Sequence, residues 1–118
     1  MPSSALTPAQ ALRSLGDISS EVRAAIVLDA DGSLAAADPD DGDLGERLRE
    51  SALAVLETAE GADGERPAEI EAATAGGTVY LVRGGGRSLA VVAGRLALSS
   101  LMRYDLRRIL ADLEDGSR

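Results

Sequence analysis

Two short apolar runs, Val79-Tyr80-Leu81-Val82 and Leu89-Ala90-Val91-Val92-Ala93, flank the segment Gly84-Gly85-Gly86-Arg87. Each has strand length, and their β-branched and aromatic residues suit a pleated, packed surface. The glycines between them free φ where the chain must reverse, so the pair reads as a β-hairpin with a loop of four or five residues. The second run has no polar alternation, which marks a strand covered on both faces. Val22 to Leu28, almost continuously apolar from Ala24 onward, reads the same way. It turns at Asp29-Ala30-Asp31-Gly32-Ser33 into a partner strand over Leu34 to Ala37. Pro67 to Ala73 is the weakest strand. Ile70 and the alanines favour it, while Glu69 and Glu71 mark an exposed edge whose charges discourage random pairing.

Three stretches carry helical spacing instead. Thr7-Pro8-Ala9-Gln10 is a helix start, with Thr7 as cap, Pro8 at the first helical position and Gln10 placed to answer the cap N–H. Leu12 and Leu15 give that helix its apolar side; Gly16 is positioned to end it, while Ile18 can let a turn continue before Glu21. A second helix, capped by Asp43 with Glu46 three residues on, presents Leu44, Leu48, Ala52, Val55 and Ala59 along one side. Leu53 and Leu56 widen that stripe, so the helix can touch its own sheet and something beyond it. The last helix, Leu98 to Leu113, has a broad apolar face interrupted by Asp105 and a polar side carrying Arg103, Arg107 and Arg108. The order is helix, strand, strand, helix, strand, strand, strand, helix. That predicts one α+β domain over residues 7–113, a mainly antiparallel five-stranded sheet with helices on its faces, and flexible termini at 1–6 and 114–118.

Composition narrows the chemistry. The 118 residues include no Cys and no His, which excludes disulfides, thiolate chemistry, imidazole bases and Cys/His zinc sites. All twelve basic residues are Arg, so lysine-dependent phosphate sites, Schiff bases and lysine bases are excluded too. A net charge of -8 and only two aromatic residues oppose nucleic acid as a partner. No apolar run is long enough to span a bilayer and no leader is indicated, so a cytoplasmic protein without direct membrane insertion is expected. The charge is unevenly placed. Asp29, Asp31, Asp38, Asp40, Asp41, Asp43, Glu46 and Glu50 oppose only Arg47 and Arg49, whereas Arg83 to Arg108 holds six arginines against Asp105 alone. Arg103, Arg107 and Arg108 therefore form a candidate partner-contact patch for an acidic protein surface.

The aspartates do not make a convincing metal site. An EF-hand loop from Asp29 would need Gly at position 34 and Glu at position 40, where the chain has Leu34 and Asp40. Both acidic loops have turn and capping roles available. Gly84 to Gly86 lies between strands rather than ahead of a helix, and no Gly-x-x-x-x-Gly-Lys-Ser/Thr segment exists. No catalytic, cofactor-binding or metal-binding residue is assigned.

The apolar strand leading into Asp29-Ala30-Asp31-Gly32-Ser33-Leu34-Ala35, the helix from Leu44, and Leu89 to Arg95 followed by Leu98, Leu101, Arg103, Tyr104, Leu106 and Arg107-Arg108 together resemble the Roadblock/LC7 family. Its bacterial members include MglB-like regulators of Ras-like GTPases. The resemblance spans Pro8 to Leu113, with one departure at Glu21, where relatives often have Gly. It implies a profilin-like sandwich with sheet order 2-1-5-4-3, helix 2 on one face and helices 1 and 3 on the other. It also implies a homodimer, or a heterodimer with a homologue, formed by third strands side by side and antiparallel second helices. Carried onto this chain, the contacts would come from Leu48, Ala52, Leu56 and Ile70. The implied function is a non-enzymatic adaptor that binds a small Ras-like GTPase, with no cofactor. The alternative is a scaffold dimer in a kinase, transport or motility complex without effect on nucleotide turnover.

Overall fold

The computed structural model describes residues 7–39, 42–60, 68–74, 77–84, 86–94 and 97–116. Its elements are helix α1 (Pro8–Ile18), strands β1 (Val22–Leu28) and β2 (Leu34–Asp38), helix α2 (Gly42–Glu60), strands β3 (Glu69–Thr74), β4 (Gly77–Gly84) and β5 (Arg87–Ala93), and helix α3 (Ser99–Gly116). All strand pairs are antiparallel and the sheet order is β2-β1-β5-β4-β3. The expected α+β sandwich with order 2-1-5-4-3 is therefore the observed one.

Two apolar layers explain why the central strands lack alternation. Ala25 and Val27 of β1, Tyr80 and Val82 of β4, and Leu89, Val91 and Ala93 of β5 pack beneath Leu12 and Leu15 of α1 and Met102, Leu106, Ile109, Leu110 and Leu113 of α3. Their neighbours Ala24, Ile26, Leu28, Leu81 and Ala90 pack on the opposite face against Leu48, Ala52 and Leu56 of α2. A strand of period two that is covered twice must be apolar at every position. On the two-helix face, α1 lies over β1 and β2 and α3 over β4 and β5.

Local chemistry sets most element ends. Thr7 Oγ1 accepts the Gln10 N–H at 3.2 Å and the Thr7 N–H reaches Gln10 Oε1 at 3.0 Å, closing the capping box. Gly16 does not end α1. The helix continues to Ile18 and stops where the Ser19 N–H bonds Leu15 C=O at 3.1 Å. α2 also starts before Leu44, so Asp43 lies inside its first turn, where a carboxylate complements the helix dipole. The central hairpin is tighter than its glycine run suggested. Arg83 pairs with Ser88 and Gly84 with Arg87, so the ladder extends into the expected loop. α3 extends past Leu113 to Gly116, into the predicted C-terminal tail, while residues 1–6 and 117–118 lie outside the described residues.

The acidic turn after β1 is a hairpin turn, as its spacing predicted. Gly32 takes φ +83°, its N–H reaches Asp29 C=O at 2.9 Å, and Asp31 Oδ1 accepts the Ser33 N–H at 2.9 Å and the Ser33 hydroxyl at 2.5 Å. The Ser33 hydroxyl, then its amide, hold the Asp31 carboxyl below the usual aspartate range. A depressed folded-state pKa stabilises the turn above the ordinary aspartate value, and that contribution fades as pH falls through the folded value. Ser33→Ala should raise the Asp31 midpoint toward the ordinary value in an NMR pH titration. An unchanged midpoint would show that the hydroxyl is not the cause.

Candidate partner surface

α3 is held to the sheet along one flank by polar contacts with the edge strand. Ser99, Arg103 and Arg107 recur every four residues and so share one side of the helix. The Ser99 hydroxyl donates to Glu71 Oε2 at 3.0 Å and lies 3.2 Å from the Tyr80 hydroxyl, while Arg107 Nε donates to Glu69 Oε2. Glu69 and Glu71 are two apart on β3 and so lie on the same face of the sheet, toward α3. These carboxylates are more than edge-protecting charges. They fasten the last helix over the rim of the sheet.

That fastening divides the basic patch expected from the sequence. Arg107 is paired within the chain, Arg103 stands on the same flank between its two anchoring neighbours, and Arg108 points to another side of the helix. All three arginines are exposed. Arg87, also in the basic half, lies 3.8 Å from Asp29, and Arg49 donates to Gly32 C=O at 2.7 Å beside Glu46 at 3.4 Å.

The four residues considered for a dimer contact fall in two places. Leu48 and Ala52 are buried and Leu56 is only 9% exposed, all three packed on the chain's own sheet. Ile70 is half-buried on β3 against that same layer. Helical spacing places Ser51 and Val55 on a flank of α2 beside this stripe and Ala54 on its outside; Ser51 and Ala54 are exposed and Val55 is half-buried. Gly45 faces Ala37 and Leu34, and Gly32 faces Leu53, so the opposite flank of α2 leans toward β2 and the acidic turn. The outer edge of β3 pairs with no other strand of the sheet.

An open cavity of about 620 Å³ lies between the second half of α2, the acidic turn and the central hairpin. Leu28, Leu53 and Leu56 line its apolar part, and Arg83, Arg87, Asp29 and Glu57 carry charges of both signs around it. Among the described residues no group of three or more acidic side chains is placed to hold a metal ion, and no helix is long and apolar enough to cross a membrane.

No protein-family model and no curated protein sequence matches the chain. Solved structures do. A Roadblock/LC7 domain from Streptomyces avermitilis superposes with TM-score 0.75 at 18% identity, covering 92% of this chain and 94% of that one. The chain has the Roadblock/LC7 fold. Myxococcus xanthus MglB aligns over 92% of this chain and 82% of its own, with TM-score 0.61 and 13% identity. An MglB described as having a tetrameric arrangement gives TM-score 0.65 at 17% identity, over 88% and 82% of the two chains. Among the described residues, the surfaces outside the core include the outer edges of β2 and β3, the outer side of α2 and the far flank of α3. Helical periodicity identified part of the buried stripes: Leu48 and Ala52 on α2 and Met102, Leu106, Ile109, Leu110 and Leu113 on α3 are buried, whereas Leu98 and Leu101 of the expected α3 face are exposed and Leu56 takes the place expected of Val55. It could not tell that Arg107 would be consumed by Glu69, because that pair joins residues 38 apart.

Proposed function

We propose that this chain is a non-enzymatic, dimeric adaptor that binds a small Ras-like GTPase and regulates it. The fold-level likeness to MglB structures carries this reading. The composition agrees with it, since a chain without Lys, His or Cys has few groups able to perform nucleotide chemistry itself. In the proposed dimer, β3 edges lie side by side and α2 helices run antiparallel. Leu48, Ala52 and Leu56 support α2 from beneath, while Ser51, Ala54 and Val55 with Ile70 and the β3 backbone meet the partner. Such an interface should bury at least about 1,200 Å².

The test is direct. The purified chain, mixed with the Ras-like GTPase encoded nearest to it, should co-elute with it and change its nucleotide release or hydrolysis. Co-elution that is indifferent to GDP or GTP and leaves turnover unchanged would favour the scaffold dimer of a kinase, transport or motility complex. Failure to bind in either nucleotide state would reject the GTPase reading.

A further inference from the structure

The cavity beside the second half of α2 has a make-up for which neither the core nor the proposed dimer has a use. Its apolar part is formed by Leu28 at the end of β1 and by Leu53 and Leu56 of α2. Leu28 and Leu56 are buried in the layer beneath the helix, so this part is fixed by the core itself. Ser88, one of the two buried polar residues among those described, lines the same space. In the ladder it stands opposite both Leu28 and Arg83, which puts all three side chains on the face of the sheet that α2 covers. Glycine keeps the walls apart. Gly32 and Gly86 line the cavity without side chains; a Cβ on Gly32 would stand 3.5 Å from Leu53, and one on Gly86 would stand 3.7 Å from Ala30.

The charges around the apolar part come from different elements according to sign. The central hairpin supplies Arg83 and Arg87, the β1–β2 turn supplies Asp29 and Asp31, and α2 supplies Glu57. Arg87 Nε lies 3.8 Å from Asp29 Oδ1, a separation that leaves charge attraction but no hydrogen bond, so the guanidinium keeps N–H donors to offer a ligand. Asp31 commits Oδ1 to the Ser33 amide and hydroxyl. Glu57 is exposed, one turn after Leu53 on the same flank of α2. A ligand carrying only negative charge would meet three carboxylates here, and one carrying only positive charge would meet two guanidinium groups. A zwitterion with an apolar body complements both sets at once. The volume, about 620 Å³, lies well inside the range of roughly 300–1,000 Å³ typical of sites for drug-sized ligands, which favours a di- or tripeptide over a single amino acid.

We propose that this cavity binds a short peptide with apolar side chains and both termini free, the carboxylate held at Arg83 and Arg87, the ammonium at Glu57 and the acidic turn, and the side chains laid on Leu28, Leu53 and Leu56. Guanidinium groups suit the planar carboxylate, and partial exclusion of water by the leucines strengthens each charged contact. Leu53 and Glu57 stand on the flank of α2 away from Ser51 and Val55, so the cavity lies outside the proposed dimer contact. The site therefore does not depend on the GTPase reading.

The tripeptide Leu-Ala-Leu, its N-acetylated form and its C-amidated form, each titrated into the full chain and followed by amide chemical shifts, test this. The free tripeptide should bind with the amides of Gly32, Gly86 and Ser88 moving most, and each blocked form should bind about tenfold more weakly. Arg87→Gln should bring the free and amidated forms to one affinity, and Glu57→Gln should do the same for the free and acetylated forms. Neither change removes a buried apolar group, so circular dichroism should stay unaltered in both. Arg103→Gln, exposed on α3, should change none of the three affinities. No binding of the free tripeptide at about 1 mM, shifts confined to another surface, or equal affinity of all three forms would overturn the proposal. So would full binding by the acetylated form, which would mark the cavity as a site for a protein's C-terminus, or affinities that Arg87→Gln and Glu57→Gln leave unchanged.

Discussion

Leu56→Asp is expected to unfold the chain rather than convert a dimer into a well-folded monomer. Leu56 is 9% exposed and packs with Ile26, Leu28, Leu81 and Ala90 beneath α2. The substitution removes the transfer free energy of a buried leucine and puts a carboxylate in its place, a combined loss of about 4 kcal/mol or more. That is a large fraction of the total stability of a domain this size, which is on the order of 5–15 kcal/mol. Far-UV circular dichroism and a urea titration should therefore show a collapsed midpoint. Ala54→Arg provides the contrast, because Ala54 is exposed on the outer side of α2. It should keep the helical signal and, if the proposed dimer forms, reduce the mass by light scattering to that of one chain. A folded Leu56→Asp monomer would show that Leu56 belongs to an interface between chains and not to this core.

The two leucines that widen the α2 stripe illustrate what sequence can and cannot convey. Spacing placed Leu48 and Ala52 on the sheet side of α2 but grouped Val55 with them and left Leu56 to the widened stripe, whereas Leu56 completes the buried layer and Val55 is half-buried beside it; the apolar continuity of β1 and β5 correctly signalled strands covered on both faces. Both inferences rest on periodicity, a local property. Which apolar surface faces the sheet and which faces outward depends on how α2 is rolled, and that is set by Gly45 approaching Ala37 and Leu34 and by Arg49 reaching Gly32 C=O. The same limit applies to charge. The acidic and basic halves of the chain were visible at once, yet Arg107 is paired with Glu69 and Arg87 stands beside Asp29. Antiparallel pairing brings distant segments together, so opposite charges that look segregated along the chain become neighbours across the sheet. Asp105 was visible only as a break in an apolar stripe.

Gly77→Ala carries the second large expected effect, and it bears on how the edge strand is presented. Gly77 opens β4 with φ +138°, a region that an L side chain enters only under strain. A Cβ there would stand 2.5 Å from the Ala93 carbonyl oxygen, a contact against backbone that no rotamer change can relieve. Relief would require β4 to move away from β5 where Thr78 pairs with Ala93, and it would carry along the Thr74–Gly77 pair that begins the β3–β4 hairpin. Strain and displacement together should lower stability by about 2–4 kcal/mol. Gly42→Ala is the matched control, since its Cβ meets nothing within 4 Å at the start of α2. It should be neutral or gain about 0.5–1 kcal/mol from helix propensity. Urea denaturation of both variants decides the matter, and equal midpoints would mean that β4 yields at Gly77 without disturbing the sheet. If Gly77→Ala also loosens β3, Glu69 and Glu71 move with it, and the hold of Ser99 and Arg107 on the edge weakens. Hydrogen exchange would then rise in β3 and in the first half of α3 together, linking a backbone requirement at one glycine to the edge strand assigned to the partner.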